Sequence, residues 1–170
     1  MRKRMYGFFS GLAVAALFLV IWGGVLVAAI RSDAQVDTLH DYIEETCSIY
    51  NVCPELIEAI IERESSWNPN AYNSGSGCIG LMQIDPKWHK ERMERLSVTD
   101  LTDPEENILV GVDYIAELFE KYGDVYAVLM FYNAGYSDNY GLGAWEDGRY
   151  SQYAVKVSKR AIELGDLSDK

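Results

Sequence analysis

The sequence predicts a mainly α protein, in which one apolar N-terminal helix precedes a single small helical globule. Three observations lead there. An apolar run extends unbroken from Phe8 to Ile30. After it comes a succession of stripes with the 3.6-residue spacing of amphipathic helices, several opened by recognisable caps. No stretch alternates as a half-buried strand would. The expected division is residues 1–31 as a membrane or signal segment, 32–165 as one domain and 166–170 as a short tail.

The apolar run holds 23 residues and no charge, against about 20 needed to cross a bilayer as a helix. It is also longer than the roughly 7–15 residues usual in a cleaved signal. The expectation is therefore a single-pass anchor in the cell membrane. Ser32-Asp33-Ala34 keeps open the alternative of signal cleavage and secretion. In either case Arg2, Lys3 and Arg4 stay inside, and the chain from residue 32 onward lies outside the cytoplasm.

With these three bases and Arg31 assigned to the anchor, the exported part carries 11 Lys+Arg against 26 Asp+Glu. Such a balance excludes nucleic acid as partner, because its binding needs a basic surface. It also opposes docking onto anionic polymers or lipid head groups, and its plainest meaning is solubility. Cys47, Cys53 and Cys78 permit one disulfide and leave one thiol over. Cys47 and Cys53 are the nearest pair in sequence, but Cys47 also continues a helical stripe, where a free cysteine acts as a small hydrophobe.

Along the chain, Val36, Leu39, Ile43, Cys47 and Tyr50 share one helical face. A second helix opens at Pro54, with Glu55 beside its positive end, and stops at Glu64 or Ser65 before Asn68-Pro69. Residues 66–80 are rich in Asn, Ser and Gly and read as a loop. Asp85-Pro86 starts a short polar helix to about Leu96. The next helix is capped by Asp103, with Pro104 in its first position and Glu106 completing a capping box. Ile108, Val112, Ile115, Phe119 and Tyr122 form its stripe, and Gly123 ends it. From Val125 to Tyr132 the chain is apolar on every side, so this helix is expected at the centre, with the others wrapped around it. A loop with Gly135, Gly141, Gly143 and Gly148 leads to a last helix bearing Tyr150, Tyr153, Val157, Ala161 and Leu164 and closing at Gly165.

Glu64 is the candidate reactive group. It stands at i+7 on the face of Ile57, Ile60 and Ile61, whereas Glu58 and Glu62 point elsewhere. Apolar neighbours and the negative end of the helix would both raise its pKa. A carboxyl kept protonated near neutral pH is what a general acid at a glycosidic oxygen requires. The plainer alternative is a stripe that runs out into solvent at its last turn.

The residues C-terminal to Glu64 decide between the two. Glu64-Ser65-Ser66-Trp67-Asn68-Pro69-Asn70-Ala71 leads into Gly80-Leu81-Met82-Gln83-Ile84. Then come the helix beginning near Asn107, the block Tyr132-Asn133-Ala134-Gly135, and Tyr153. In this order and spacing the blocks resemble the soluble-lytic-transglycosylase (SLT) type of lysozyme-like domain, over roughly residues 40–164. The resemblance implies a lysozyme-like fold with minimal β structure, and peptidoglycan glycan strands as substrate. It implies cleavage of the β-1,4 bond between N-acetylmuramic acid and N-acetylglucosamine with formation of a 1,6-anhydro ring. Glu64 then matches the single catalytic acid and base, and Ser65 the serine next to it. Met82 and Gln83 match residues lining the sugar groove, Tyr132 and Asn133 fall on the family's Tyr-Asn-Ala-Gly, and Tyr153 on the tyrosine that supports the glutamate.

The family manages with one carboxylate, the substrate's own N-acetyl oxygen stabilising the cation, where ordinary glycosidases need two. Asp85 is the only acid near the groove block and reads as a helix cap; facing the groove, it would point to a lysozyme-type muramidase. Arg149 stands where the family often has glutamate, Trp67 where phenylalanine is frequent, and Cys78 is outside the pattern. Gly75-Ser76-Gly77-Cys78-Ile79-Gly80 fits the dinucleotide-binding string but lacks a preceding strand and a βαβ unit. His40 and His89 are the only histidines, and no spacing suggests zinc, so neither cofactor nor metal is expected. A thiol peptidase pairing Cys78 with His89 and a non-catalytic wall-binding scaffold are the rival classes. A membrane-bound or secretion-type assembly is a further partner suggested by analogy alone.

Overall fold

The computed structural model describes residues 38–168, and the compact unit within them begins at Asp41. The apolar run at 8–30, and with it the expected anchor, lies outside the described residues. No helix among the described residues is long and apolar enough to cross a membrane. Those residues form α1 (38–50), α2 (Pro54–Ser65), α3 (Lys90–Leu96), α4 (Pro104–Tyr122), α5 (Val125–Ala134), α6 (Leu142–Glu146) and α7 (Gln152–Ser168). Among the described residues β structure is confined to two isolated antiparallel bridges, Tyr72–Ile79 and Ile79–Ile84.

α5 is central, as its composition requires. Ala127, Val128, Leu129 and Met130 are fully buried, and the helix packs on α4, α6 and α7. Burial all round holds only over those four: Val125 and Tyr126 are half-buried at the start, and so are Phe131 and Tyr132 where α5 reaches a cleft in the surface. Asp124 caps it, its Oδ1 accepting the Ala127 N–H at 3.0 Å. α7 packs on α2 and α5 through Tyr153, Ala154 and Val157, all buried. Ile43 and Cys47 of α1 are buried too. All three cysteines are free, and burial pushes the Cys47 thiol up to about 12.

Four local expectations are corrected. The polar helix starts at Lys90 rather than at Asp85, because Asp85 closes a turn of its own. Its Oδ1 accepts from Lys87 N–H at 2.8 Å, and its carbonyl from Trp88 and His89 at 3.1 and 3.2 Å. At α4, Asp103 caps Glu106 N–H at 3.0 Å, but the reciprocal half of the box does not form. The Asp103 N–H is already given to the Asp100 carbonyl at 3.1 Å. Glu106 instead accepts from Thr99 and Asp100 N–H at 2.8 and 2.7 Å, tying down the preceding loop. The glycine-rich loop contains α6. Finally, α7 runs through Gly165 to Ser168, and Tyr150 lies ahead of it, exposed.

Two turns place the site. After α2, Ser66 (φ 52°) and Trp67 (φ 64°) are both left-handed, so the chain leaves sharply just beyond Glu64. Gly80 (φ +78°) allows the 79–84 turn to lie against α4, where an added Cβ would stand 2.2 Å from Asn107 Nδ2 and 2.4 Å from the Leu101 carbonyl. Gly80→Ala should therefore cost about 3 kcal/mol, from left-handed strain and overpacking together. Urea unfolding measures it, and a loss below about 1 kcal/mol would mean that the turn is not held there.

Candidate active site

A cleft of about 840 Å³ crosses the compact unit. Glu64, at the C-terminal end of α2, meets Gln83, Ile84, Asp85 and Trp88 of the loop before α3, and Phe131, Tyr132 and Asn133 of α5. The stripe of Ile57, Ile60 and Ile61 is buried, and its continuation carries Glu64 into the cleft half-buried.

The Glu64 carboxylate accepts a hydrogen bond from the Tyr153 hydroxyl at 2.6 Å. Burial raises the carboxyl above its ordinary value, against the lowering effects of that bond and of Arg63. Tyr153 is 8 % exposed, and burial, then the charge of Glu64, push its phenol well above the usual tyrosine range. The phenol therefore keeps its proton and remains the donor. Tyr132 donates to the Met82 carbonyl at 2.6 Å, and burial, then the Glu64 charge, raises its phenol as well.

Of the residues singled out in the sequence, Glu64, Gln83, Tyr132 and Asn133 line the cleft; Ser65, Met82 and Tyr153 do not. Ser65 donates to the Ile61 carbonyl of its own helix at 3.2 Å. The Met82 side chain is fully buried, because Gly111 of α4 leaves a notch that the thioether fills. Its main chain, not its sulfur, serves the cleft. Tyr153 supports Glu64 from behind. Gln83 (φ 49°) gives its amide N–H groups to the carbonyls of Gly80 and Ala71 at 3.1 and 3.3 Å, which leaves its oxygen for a ligand. Arg149 belongs to a surface loop, where it binds the Asp138 carbonyl and the Asp147 carboxylate.

The far end of the cleft was not legible from the sequence. Arg92, on α3, pairs with Asp113 and with Glu117 at 2.5 Å, and Arg95 joins Asp113 at 2.7 Å. Burial alone would raise the Asp113 carboxyl, but Arg95 and Arg92 hold it below its usual range. Tyr114 lies 4.5 Å from the His89 ring and 5.7 Å from that of Tyr132, with the Arg92 guanidinium 5.0 Å over its face. The only available signal was Asp113 and Glu117 four apart on α4 and Arg92 and Arg95 three apart on α3, which names no partner without the fold. Cys78 and His89 both reach the cleft. The His89 Nδ1 accepts from Arg92 at 3.4 Å, and burial, then Arg92, lower its pKa, the wrong direction for activating a thiol. Among the described residues no group of three or more His, Cys, Asp or Glu is placed to hold a metal ion.

The sequence profile described as the transglycosylase SLT domain matches residues 41–151. A transglycosylase of Enterobacteria phage PRD1 is 40% identical over 86 residues, 51% of this chain and 31% of its own length. Membrane-bound lytic murein transglycosylase E of Buchnera aphidicola is 37% identical over 112 residues, 58% of this chain and 50% of its own. The chain thus spans half or less of each of these two relatives. A solved lytic transglycosylase of Pseudomonas aeruginosa, in an inactive mutant form, superposes with a TM-score of 0.62 and 21% identity over 76% of this chain and 24% of that one. That likeness establishes the fold.

The Glu64 environment has two measurable effects. Folding raises its pKa above the usual 4.5, so between the two values the folded state binds more protons than the unfolded one. Stability falls as pH rises through that window. Glu64→Gln escapes the penalty, so its stability relative to the wild type should climb as pH is raised from below 4.5; a constant difference would contradict the burial. Tyr153→Phe removes the largest lowering interaction, so the carboxyl should titrate still higher by carbon NMR. A downward move would contradict the donor role of Tyr153.

Proposed function

The chain belongs to the transglycosylase SLT domain family, with its mainly α, lysozyme-like fold, and from that premise we propose that it is a peptidoglycan lytic transglycosylase. It cuts the β-1,4 bond between N-acetylmuramic acid and N-acetylglucosamine and leaves a 1,6-anhydro end. The observation that carries the reading is the Glu64 carboxyl, raised by burial and held by Tyr153 at 2.6 Å inside a cleft of about 840 Å³.

Glu64 first acts as acid, giving its proton to the glycosidic oxygen as the bond to the anomeric carbon breaks. The substrate's N-acetyl oxygen stabilises the resulting cation. The carboxylate, still bonded to Tyr153, then takes the proton of the muramyl 6-hydroxyl, whose oxygen closes on the anomeric carbon. One proton leaves Glu64 and one returns, and no water is consumed. The Gln83 and Asn133 amides and the Tyr132 ring bind sugar groups and faces. Ser65, Met82 and Tyr153 serve from behind the surface, through helix, turn and hydroxyl.

Hydrolysis in the manner of a muramidase is a second reading, favoured by one observation: Asp85 also lines the cleft. Its Oδ1 is engaged by the Lys87 N–H at 2.8 Å, which makes it a turn cap before it is a reagent. The anchor is part of the proposal as well. The apolar run from Phe8 to Ile30 behind three bases tethers the domain outside the cytoplasm, at a single-pass membrane helix, beside the wall it cuts. A membrane-bound or secretion-type assembly would suit a tethered cutter.

Mass spectrometry of purified peptidoglycan digested with the chain tests this directly. Anhydro-muramyl ends, about one water lighter than hydrolysed ends, are expected. Reducing muramyl ends would replace the reading with the muramidase, and binding without cleavage would replace it with a scaffold. Glu64→Gln should lower anhydro release by at least about a hundredfold while keeping the fold; undiminished release would remove Glu64 from the mechanism.

A further inference from the structure

One buried amide outside the cleft holds the turn that carries Gln83 and receives the Tyr132 hydroxyl. Asn107, near the start of α4, is fully buried. Its Oδ1 accepts the Met82 N–H at 2.8 Å. Its Nδ2 donates to the carbonyls of Ile79 and Leu101, each at 2.9 Å. Both donors of the side chain are spent on main-chain groups of other segments, and one of its acceptor positions as well.

Four residues further along α4, Gly111 receives the Met82 thioether so closely that a Cβ there would lie 2.2 Å from the sulfur. One face of α4 therefore grips the 79–84 turn twice, by a polar contact at Asn107 and an apolar one at Gly111. From α5 the Tyr132 hydroxyl donates to the Met82 carbonyl at 2.6 Å. The two peptide groups flanking Met82 are thus held between α4 and α5. Gln83, next in the chain, keeps φ at 49°, a conformation that persists in a non-glycine residue only when its surroundings over-determine it. Its own bonds to the Gly80 and Ala71 carbonyls fix Gln83 from one side, and the Asn107 bond to the Met82 N–H fixes the residue before it.

We propose that Asn107 is a positioning residue for strand cleavage: by fixing the Met82 peptide it sets where the Tyr132 ring stands in the cleft it shares with Glu64. The inference rests on the lytic transglycosylase reading for its catalytic consequence, though not for its geometry. Asn107 touches no substrate, and its effect passes through the Met82 carbonyl to a hydroxyl on another helix.

The test uses the full chain with Asn107→Ser, which shortens the side chain and leaves room for a bridging water. The first readout needs no activity. The ring-carbon resonance of Tyr132 beside its hydroxyl should move, while that of Tyr153 stays; an unmoved Tyr132 resonance overturns the proposal. The second is a double-mutant cycle. Asn107→Ser should lower kcat/KM about tenfold in the wild type and less than about twofold in a Tyr132→Phe background. Equal losses in both backgrounds would mean a merely structural asparagine and overturn the proposal. Should Asn107→Ser fail to fold, Gly111→Ala displaces the same turn at its second anchor and is read in the same two ways. A wild-type chain that cuts no glycan refutes the proposed function, and the Tyr132 resonance then decides the positioning by itself.

Discussion

A carboxyl drawn out of water needs a hydrogen-bond donor, and at Glu64 the Tyr153 hydroxyl is that donor. The two residues are 89 positions apart, so the contact exists only when α7 lies along α2. Among α2 to α7 that packing is the most extensive helix pairing. Its inner side is apolar, with Ile57, Ile60 and Ile61 sharing one core with Ala154 and Val157. Its outer side is closed by a two-pronged ion pair, Arg160 to Glu62 at 2.7 and 2.9 Å. The outer pair is partly exposed and stabilises little. The apolar seam carries the energy, and the carboxyl sits at its end, desolvated by the same contacts that stabilise the fold. Chemistry and stability are here one constraint.

The cleft walls are built on different principles. α5 offers its wall as the C-terminal end of a helix whose middle is buried, fixed by dispersion and apolar burial. The α3 wall has no buried residue of its own. It is held to α4 by Arg92 and Arg95 on Asp113, with side-chain exposures of 10% and 9% for Arg92 and Asp113. Such a pair costs desolvation and repays it through geometry, so it specifies a position more than it adds stability.

Legibility in the sequence tracked the range of the interactions. The helix stripes, the cap at Asp103 and the central place of α5 were readable because periodicity and capping act over a few residues. Glu64 was readable as an inward-facing acid for the same reason. The half-formed capping box was not, since it turned on a competing carbonyl at Asp100. α6 was hidden because five residues give no period. The Met82 side chain, expected in the groove, lies in the core because of a glycine 29 positions away on α4. The Arg92–Asp113 cluster was invisible because four common surface residues become a network only once two helices meet. Motif resemblance supplied residue identities, and tertiary contact decided which atoms of each residue do the work.

Burial of Cys47 has a consequence for how this chain comes to be folded. Cys47 lies on the packed face of α1, its thiol raised to about 12, while Cys53, six residues on, is exposed. In an unfolded chain the two are close enough along the backbone to be joined by any oxidant. Once α1 is packed, the inner sulfur is neither deprotonated nor reachable and is withdrawn from exchange. A Cys47–Cys53 bond made before α1 packs would put a covalent link where the packed fold keeps one thiol buried and the other exposed.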